Sequence, residues 1–510
     1  MSGLPDITFN ISQGGLGRAP AGEDHISGMI FYIANGFLPS GFSTSSRIKN
    51  VFSIEQAEAL GIDLSYSDET PGEGTVSVTT AGTNGDIITV AFLEPNGTTV
   101  TLGQYTKVSG DNTVTLVATA ITAAINALTY VHGYTATSAI GVVTIVYRDG
   151  LGVWPNSGTP LAATIVGATM AVTVTQATVA GVASKIAVFH YHISEYFRLK
   201  PNGNLWVGLY ASIGAAYEEV TLVRDAANGA IRQMAVFHAF AATTIATDTP
   251  LLQAVAAAGF TDHKPFSILK APEISGTAAL SSLNNLSTLN SAKVSNIISQ
   301  DGAAKGYLLY LTTGKSITDI GAKLGALSAS KVSESWAWIG KFNMSDGVEL
   351  DTVAFSNGVT YESTPTSQLN TLTDYGYCFL RKLVGFTGSY NNQPNTSTTF
   401  TSDYRYIYNN RTVDKAVRQV RLNTLPALSG DIVLNSNGTM ADTTIAYYVS
   451  LASSALDIMV RDGEISAYKV TIDPAQNVLS TNKIIENIKI LPIGKADFIE
   501  INIGLTTKID

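Results

Sequence analysis

The stretch that most constrains this chain lies close to its C-terminus: in Ala496-Asp497-Phe498-Ile499-Glu500-Ile501-Asn502-Ile503-Gly504-Leu505, Ile499, Ile501, Ile503 and Leu505 alternate with Glu500, Asn502 and Gly504. A period of two is that of a strand with one buried face. Such a strand at a chain end needs a partner edge. Just upstream, 483–491 is a second extended run with Ile484, Ile488 and Ile490 on one face, stopped by Pro492-Ile493-Gly494. A third covers 464–472 and closes at Asp473-Pro474. Before these, Asp442-Thr443-Thr444 offers a helix start and Gly463 a stop around Ile445, Tyr448, Val449, Ala452, Leu456 and Met459 at helical spacing. A further helix over 411–422 carries Val413, Ala416, Val417 and Val420 on one stripe and Arg411, Lys415, Arg418 and Arg421 elsewhere. Two helices and three strands predict a small α+β unit.

Several segments here resemble the conserved block of contractile tail sheath proteins, the subunits of phage tails and related injection systems. They are Ser402-Asp403-Tyr404, Asn410-Arg411-Thr412-Val413-Asp414-Lys415-Ala416, Leu425-Pro426-Ala427-Leu428, Gly463-Glu464-Ile465-Ser466, Ile472-Asp473-Pro474-Ala475-Gln476-Asn477-Val478-Leu479 and Leu491-Pro492-Ile493-Gly494-Lys495-Ala496-Asp497. Leu324-Gly325-Ala326-Leu327-Ser328-Ala329-Ser330-Lys331-Val332 and Gly376-Tyr377-Cys378-Phe379-Leu380 fit the same family, so the resemblance covers about 182–510 and the N-terminus. It implies a structural subunit, not an enzyme, that polymerises into stacked rings around an inner tube, contracts, and meets baseplate and terminator proteins. Assembly in a bacterial cytoplasm and no cofactor are implied with it.

Hydrophobic residues make up 45% and charged ones 14% of the 510 residues, which suits a surface covered by copies of itself. The net charge of −9, with no cluster of Lys and Arg, argues against nucleic acid as the main partner. Cys378 is the single cysteine, so no intrachain disulfide can form and a reducing cytosol is the expected place of synthesis. The first residues show no secretory signal, and no apolar run reaches the ~18 residues of a membrane span, so direct membrane insertion is not expected.

The expected fold is an α/β core with an α+β C-terminal domain, an inserted β-rich module, and extended arms at both ends. Residues 1–20 form an N-terminal arm, with Ile7, Phe9 and Ile11 alternating with polar residues before Gly14–Gly17. The core comprises 21–66 and 182–400, starting with a strand at 28–34 and a helix at 53–60 that Ser53 caps. The Thr-, Val- and Gly-rich stretch 67–181 is the module, an outer decoration, with strands at 75–80, 87–93, 142–147 and 171–175 and a helix at 113–128. That helix presents Leu116, Ala120, Ile121, Ala124 and Ile125 as a stripe, with Asp111 or Asn112 as cap. The core continues with strands at 185–192, 232–240, 266–269 and 293–299, and helices at 215–227, 250–258, 278–291, 317–326 and 330–339, a rhythm that predicts a partly parallel sheet. The polar run 388–402 reads as a loop, 401–495 as the C-terminal domain, and 496–510 as the C-terminal arm.

Little chemistry is visible. His190 and His192 would share a strand face but lack further ligands, which favours a core role over metal. Gly15-Leu16-Gly17 lacks the third glycine of a dinucleotide loop. Thr313-Gly314-Lys315-Ser316 ends like a phosphate loop, but Leu309 stands where its first glycine belongs. Cys378 reads as buried, and Glu218-Glu219 and Asp68-Glu69 as solvated charge. The basic residues Arg411, Lys415, Arg418 and Arg421 read either as a solvated face, with Asp414 balancing Lys415 and Arg411, or as a contact with an acidic neighbour or inner tube. The helix beginning at Thr443 is an equal candidate for the tube. Two other functions stay open: an α/β enzyme with an unrecognised site, and a surface binding module carried by the β-rich insert.

Overall fold

The chain folds as a mixed α/β protein with several sheets; the computed structural model describes residues 23–240 and 244–505. Ile7, Phe9, Ile11 and the Gly14–Gly17 connector lie outside the described residues. The central sheet runs Tyr377–Cys378, Val294–Ile297, Ser267–Ala271, Gln233–Phe237, Ile26–Tyr32, Asn204–Tyr210, Ile48–Val51. Six of these strands are parallel and Ile48–Val51 is antiparallel at one edge. The interior strand Ile26–Tyr32 is buried along nearly its whole length, as expected where helices cover both faces of a parallel sheet. Helices Ile186–Leu199 and Ile320–Ala329 pack together on one face, Glu218–Ala226 and Ile245–Thr261 on the other.

The close approach of the first two helices depends on Gly321 and Gly325. A Cβ on Gly321 would stand 2.2 Å from the His192 carbonyl oxygen, and one on Gly325 2.6 Å from that of Tyr196. Backbone on both sides leaves nothing free to move, so either alanine would push the helices apart.

Several local expectations are overturned. The run 185–192 is no strand but the start of helix Ile186–Leu199. Almost every residue of that helix is buried, so the polar face that would have shown a helical period is absent. Residues 278–291 form two 3-10 turns, Leu280–Ser282 and Leu286–Thr288, because Ser282, Asn285 and Thr288 hydrogen-bond their own backbone. The stretch 330–339 folds into turns around buried Trp336. Strand Asn204–Tyr210 and helices Lys305–Thr313 and Thr366–Asp374 carry too weak a pattern to be read in advance. The 388–402 loop threads through the interior, burying Ser389, Asn391, Asn395 and Ser397.

The β-rich stretch holds a four-stranded sheet and a three-stranded one, with a core drawn only from residues 76–170. Its helix, Val114–Asn126, is capped by Thr113 and buries Val117, Ala118, Ile121 and Ile125; Leu116 faces out. Entry and exit of this stretch are tied together, since Thr70 and Val182 exchange backbone hydrogen bonds of 3.1 and 2.9 Å. Asp68 and Glu69 are therefore not solvated charge. Asp68 is buried and accepts from the Ser184 hydroxyl and the Lys185 and Ile186 N–H groups, capping the helix that follows the stretch. Glu69 accepts from Gly150 and Gly152 at 2.8 and 2.9 Å. Replacing 71–181 by a short linker is expected to cost the remaining fold about 1–4 kcal/mol, since what is lost is the hydrogen bond from Val153 to Thr312 and the two that Glu69 accepts from Gly150 and Gly152. Urea unfolding followed by circular dichroism checks this.

Candidate assembly surfaces

The C-terminal region builds from helix Ile407–Thr424, helix Asp442–Arg461 and one hairpin-like sheet. Strands Ile465–Ile472 and Glu486–Pro492 pair antiparallel, and both helices lie against one face through Ala416, Leu456, Met459 and Ile465. Among the described residues this sheet has two strands, so each keeps an outer edge of unpaired backbone groups. Two strands alone are marginal; a third or fourth is what such a sheet lacks.

The expected third strand pairs with no other among the described residues. Over 493–505 the backbone forms no strand, and Phe498, Ile499, Ile501, Ile503 and Leu505 are 90, 78, 74, 89 and 106% exposed. Burying each such side chain is worth roughly 1.5–3 kcal/mol. Gly494, at the exit, faces open space, while Lys495 stands 5.5 Å over the Tyr408 ring. An apolar groove of about 530 Å³ lies nearby, lined by Val413, Val417, Val420, Leu425, Ile488 and Ile490. A larger cleft of about 1210 Å³ separates the exit segment 493–499 from Trp338, Phe400 and Arg405.

Helix Asp442–Arg461 is long and apolar enough to span a membrane by length and composition, yet one stripe, Tyr448, Ala452, Leu456 and Met459, is buried in the protein. Tyr447, Ile458 and Val460 remain exposed. Its N-cap is Ala441, without a side-chain hydrogen bond, rather than the Asp442-Thr443-Thr444 group.

The basic helix is not a solvated face. Arg411 is 3% exposed and donates to the Ser330 hydroxyl at 2.8 Å and to the carbonyl oxygens of Lys331 and Asp24. Lys415 pairs with Asp24 at 2.7 Å and Glu464 at 2.6 Å, and Arg418 pairs with Asp24 at 2.7 Å. Asp414 pairs with Lys293, not with its helix neighbours, so local charge balance misjudged it. Three of the four cations are thus committed inside the chain; among the described residues Arg421 has no ion pair. The partners Asp24, Lys293 and Glu464 were not foreseen, being distant in sequence; the acidic pair Glu23-Asp24 ahead of the first strand was the available signal.

Burial pushes the Asp24 carboxyl up, but Lys415, Arg418 and Arg411 outweigh it and hold the pKa below its usual value. A carboxyl lowered by folding contributes stability above its unfolded pKa, near 3.9, that is lost as pH falls through the folded value. The groups facing it are Lys415, Arg418, Arg411 and Glu464. Asp24→Asn is expected to flatten the acid limb of the stability profile below about pH 4, measured by urea unfolding at a series of pH values.

Elsewhere the suspected chemistry dissolves into structure. His190 and His192 sit on a helix, not a strand; His190 meets Glu58 at 2.8 Å, and His192 packs on Phe31 and Phe237, its pKa pushed by burial to about 3. No metal-holding group of His, Cys, Asp and Glu occurs among the described residues. Gly314, at φ +63°, ends helix Lys305–Thr313, so the phosphate-loop segment closes a helix where that motif should open one. Cys378 is buried, which lifts its thiol to about 12. Glu219 is buried beneath Tyr32, whose hydroxyl donates to it at 2.7 Å, rather than solvated. The point where strand order reverses, beside Ile26–Tyr32, is where an α/β enzyme would hold a ligand. Here Tyr32, Glu219, Tyr217 and His238 are buried, with the Tyr217 hydroxyl 2.9 Å from His238 Nε2.

Residues 403–510 match the family model described as DUF2586, C-terminal domain. No curated protein matches. Among solved structures, a chain of the anti-feeding prophage baseplate is similar at 15% identity and TM-score 0.40, covering 62% of this chain and 80% of that one. The sheath tail protein of Listeria innocua is similar at 12% identity and TM-score 0.40, covering 94% of each chain. That of Desulfitobacterium hafniense is similar at 11% identity and TM-score 0.36, covering 96% of this chain and 100% of that one. At these scores no shared fold follows from the likeness.

Proposed function

We propose that this chain is the structural subunit of a contractile sheath, polymerising by exchange of strands between copies. The observation that carries the reading is the mismatch within the C-terminal unit: an alternating apolar tail, fully exposed, beside a sheet with open edges. Ile499, Ile501, Ile503 and Leu505 would add to the sheet of one neighbour, and Ile7, Phe9 and Ile11 to that of another. Head-to-tail pairing of this kind does not close on two copies and builds stacked rings. The connectors at Gly14–Gly17 and around Gly494 would let copies rotate as bodies without parting. Contraction would release energy stored in the extended lattice, driving an inner tube through a target envelope. The exposed residues Tyr447, Ile458 and Val460, with Arg421, are the surface proposed to meet that tube. The β-rich stretch would ride outside; its exposed Tyr130, Val131 and Ile140 favour a second reading in which it binds a protein surface.

Electron microscopy of the purified protein is expected to show tubes or stacked rings. Deleting residues 1–12 is expected to abolish them while circular dichroism reports an unchanged fold. Monodisperse particles from the full chain would count against the sheath reading, and tubes from the shortened chain against the N-terminal exchange.

A further inference from the structure

The seam between the C-terminal unit and the core is held differently from the rest of the molecule. The unit's two apolar clusters draw only on residues 416–490, and the core clusters take in only Ile407 from its first helix. Apart from Ile407, what crosses the seam is mainly polar: Asp24 to Lys415 and Arg418, Arg411 to Ser330, Lys331 and Asp24, Lys293 to Asp414, and the Lys331 ammonium to the Asp462 carbonyl at 2.9 Å. A surface joined in this way can part with little apolar area exposed, so separation is cheap once the charges are released. Asp24 is the centre of the set, with Lys415 and Arg418 on its carboxylate and Arg411 on its carbonyl. It also stands two residues before the interior strand Ile26–Tyr32, while its neighbour Glu23 pairs with Arg232 of the core.

We infer that Asp24 is a latch that seats the C-terminal unit on the core, and that the unit is a body able to reorient when this latch opens. The segment preceding Glu23 in sequence is the one proposed above to pair with a neighbour, and tension on it would reach the latch first. This second step rests on the strand-exchange reading; the latch itself does not.

The latch is tested on dilute, unassembled full-length protein. Cys378 is buried and is the single cysteine, so spin labels go where cysteines are placed: Ser367→Cys on the core and Ser450→Cys on the C-terminal unit, both exposed. The parent is expected to give one narrow distance distribution. Asp24→Asn, and independently Arg418→Gln, are expected to broaden it and to lower amide protection across 407–418 about tenfold or more, the loss of a charge-assisted bond. Amide protection in Ile26–Tyr32 should not change, which separates unlatching from unfolding. Unchanged distributions in both variants would overturn the latch. Deleting residues 1–12 should leave the dilute distribution narrow, because the latch is built by residue 24; broadening there would also overturn it. In assembled protein the distance is expected to shift from its dilute value, and an unshifted distance would remove the coupling to neighbours while leaving the dilute result standing.

Discussion

Ending the chain at Pro492 should yield a folded subunit that no longer forms tubes. Within the chain, the removed residues contribute little: Phe498 to Leu505 are exposed, and the one specific contact of the exit segment named above, half-buried Lys495 over Tyr408, is worth about 1–2 kcal/mol. The thermal midpoint should therefore move by only a few degrees. Between copies the same residues offer four aligned apolar side chains and a row of backbone donors and acceptors. Losing that strand should cost assembly altogether, read by sedimentation and electron microscopy. Ile501→Asp is the finer variant, since it places one charge in the middle of the pairing face and leaves chain length alone. Tubes of normal appearance from the shortened chain would overturn strand exchange by the C-terminal arm.

Lys323→Met is expected to be the most destabilising single change in the core. Lys323 and Asp319 are fully buried, joined to each other, with Ser299 donating to Asp319 and Lys323 donating to Ser299 at 3.2 Å. Burial raises the Asp319 pKa even with Lys323 beside it. Removing the ammonium leaves a carboxylate with no counter-charge in the interior, which costs about 3–5 kcal/mol. The variant's stability should also fall as pH rises. A carboxyl raised by folding contributes stability that is present below its unfolded pKa and lost as pH climbs through the folded value. Adding Asp319→Asn should recover part of the loss, because the stranded charge is gone. Urea midpoints for the three proteins across pH measure both effects; equal stability of Lys323→Met and the parent would show the pair to be dispensable.

The C-terminal unit was the most legible part of the chain. Its helices and strands have one face on a small core and one outward, so the apolar period survives in the residues themselves, and Ile465–Ile472 and Asp442–Arg461 fall close to where spacing places them. Helix Ile186–Leu199 was misread because it is buried on all sides, and a run such as Ile186 to Ile193 has the composition of a strand. The 3-10 turns at 280–288 carry Ser, Thr and Asn whose local hydrogen bonds decide the backbone, and those bonds leave no periodic trace.

The basic helix shows the same division for the candidate site. That Arg411, Lys415, Arg418 and Arg421 would stand apart from the Val413–Val420 stripe follows from 3.6 residues per turn and needs no structure. Which partners they meet depended on folding: Asp24 lies hundreds of positions away, and only the placement of the first strand beside the last domain brings it within 2.7 Å of Lys415. The alternating tail was decided earlier, by covalent order alone, because no arrangement of the preceding residues changes which of its side chains share a face. Whether that face would find an edge inside the chain was left to three dimensions, where the described residues place none against it and the tail stays bare.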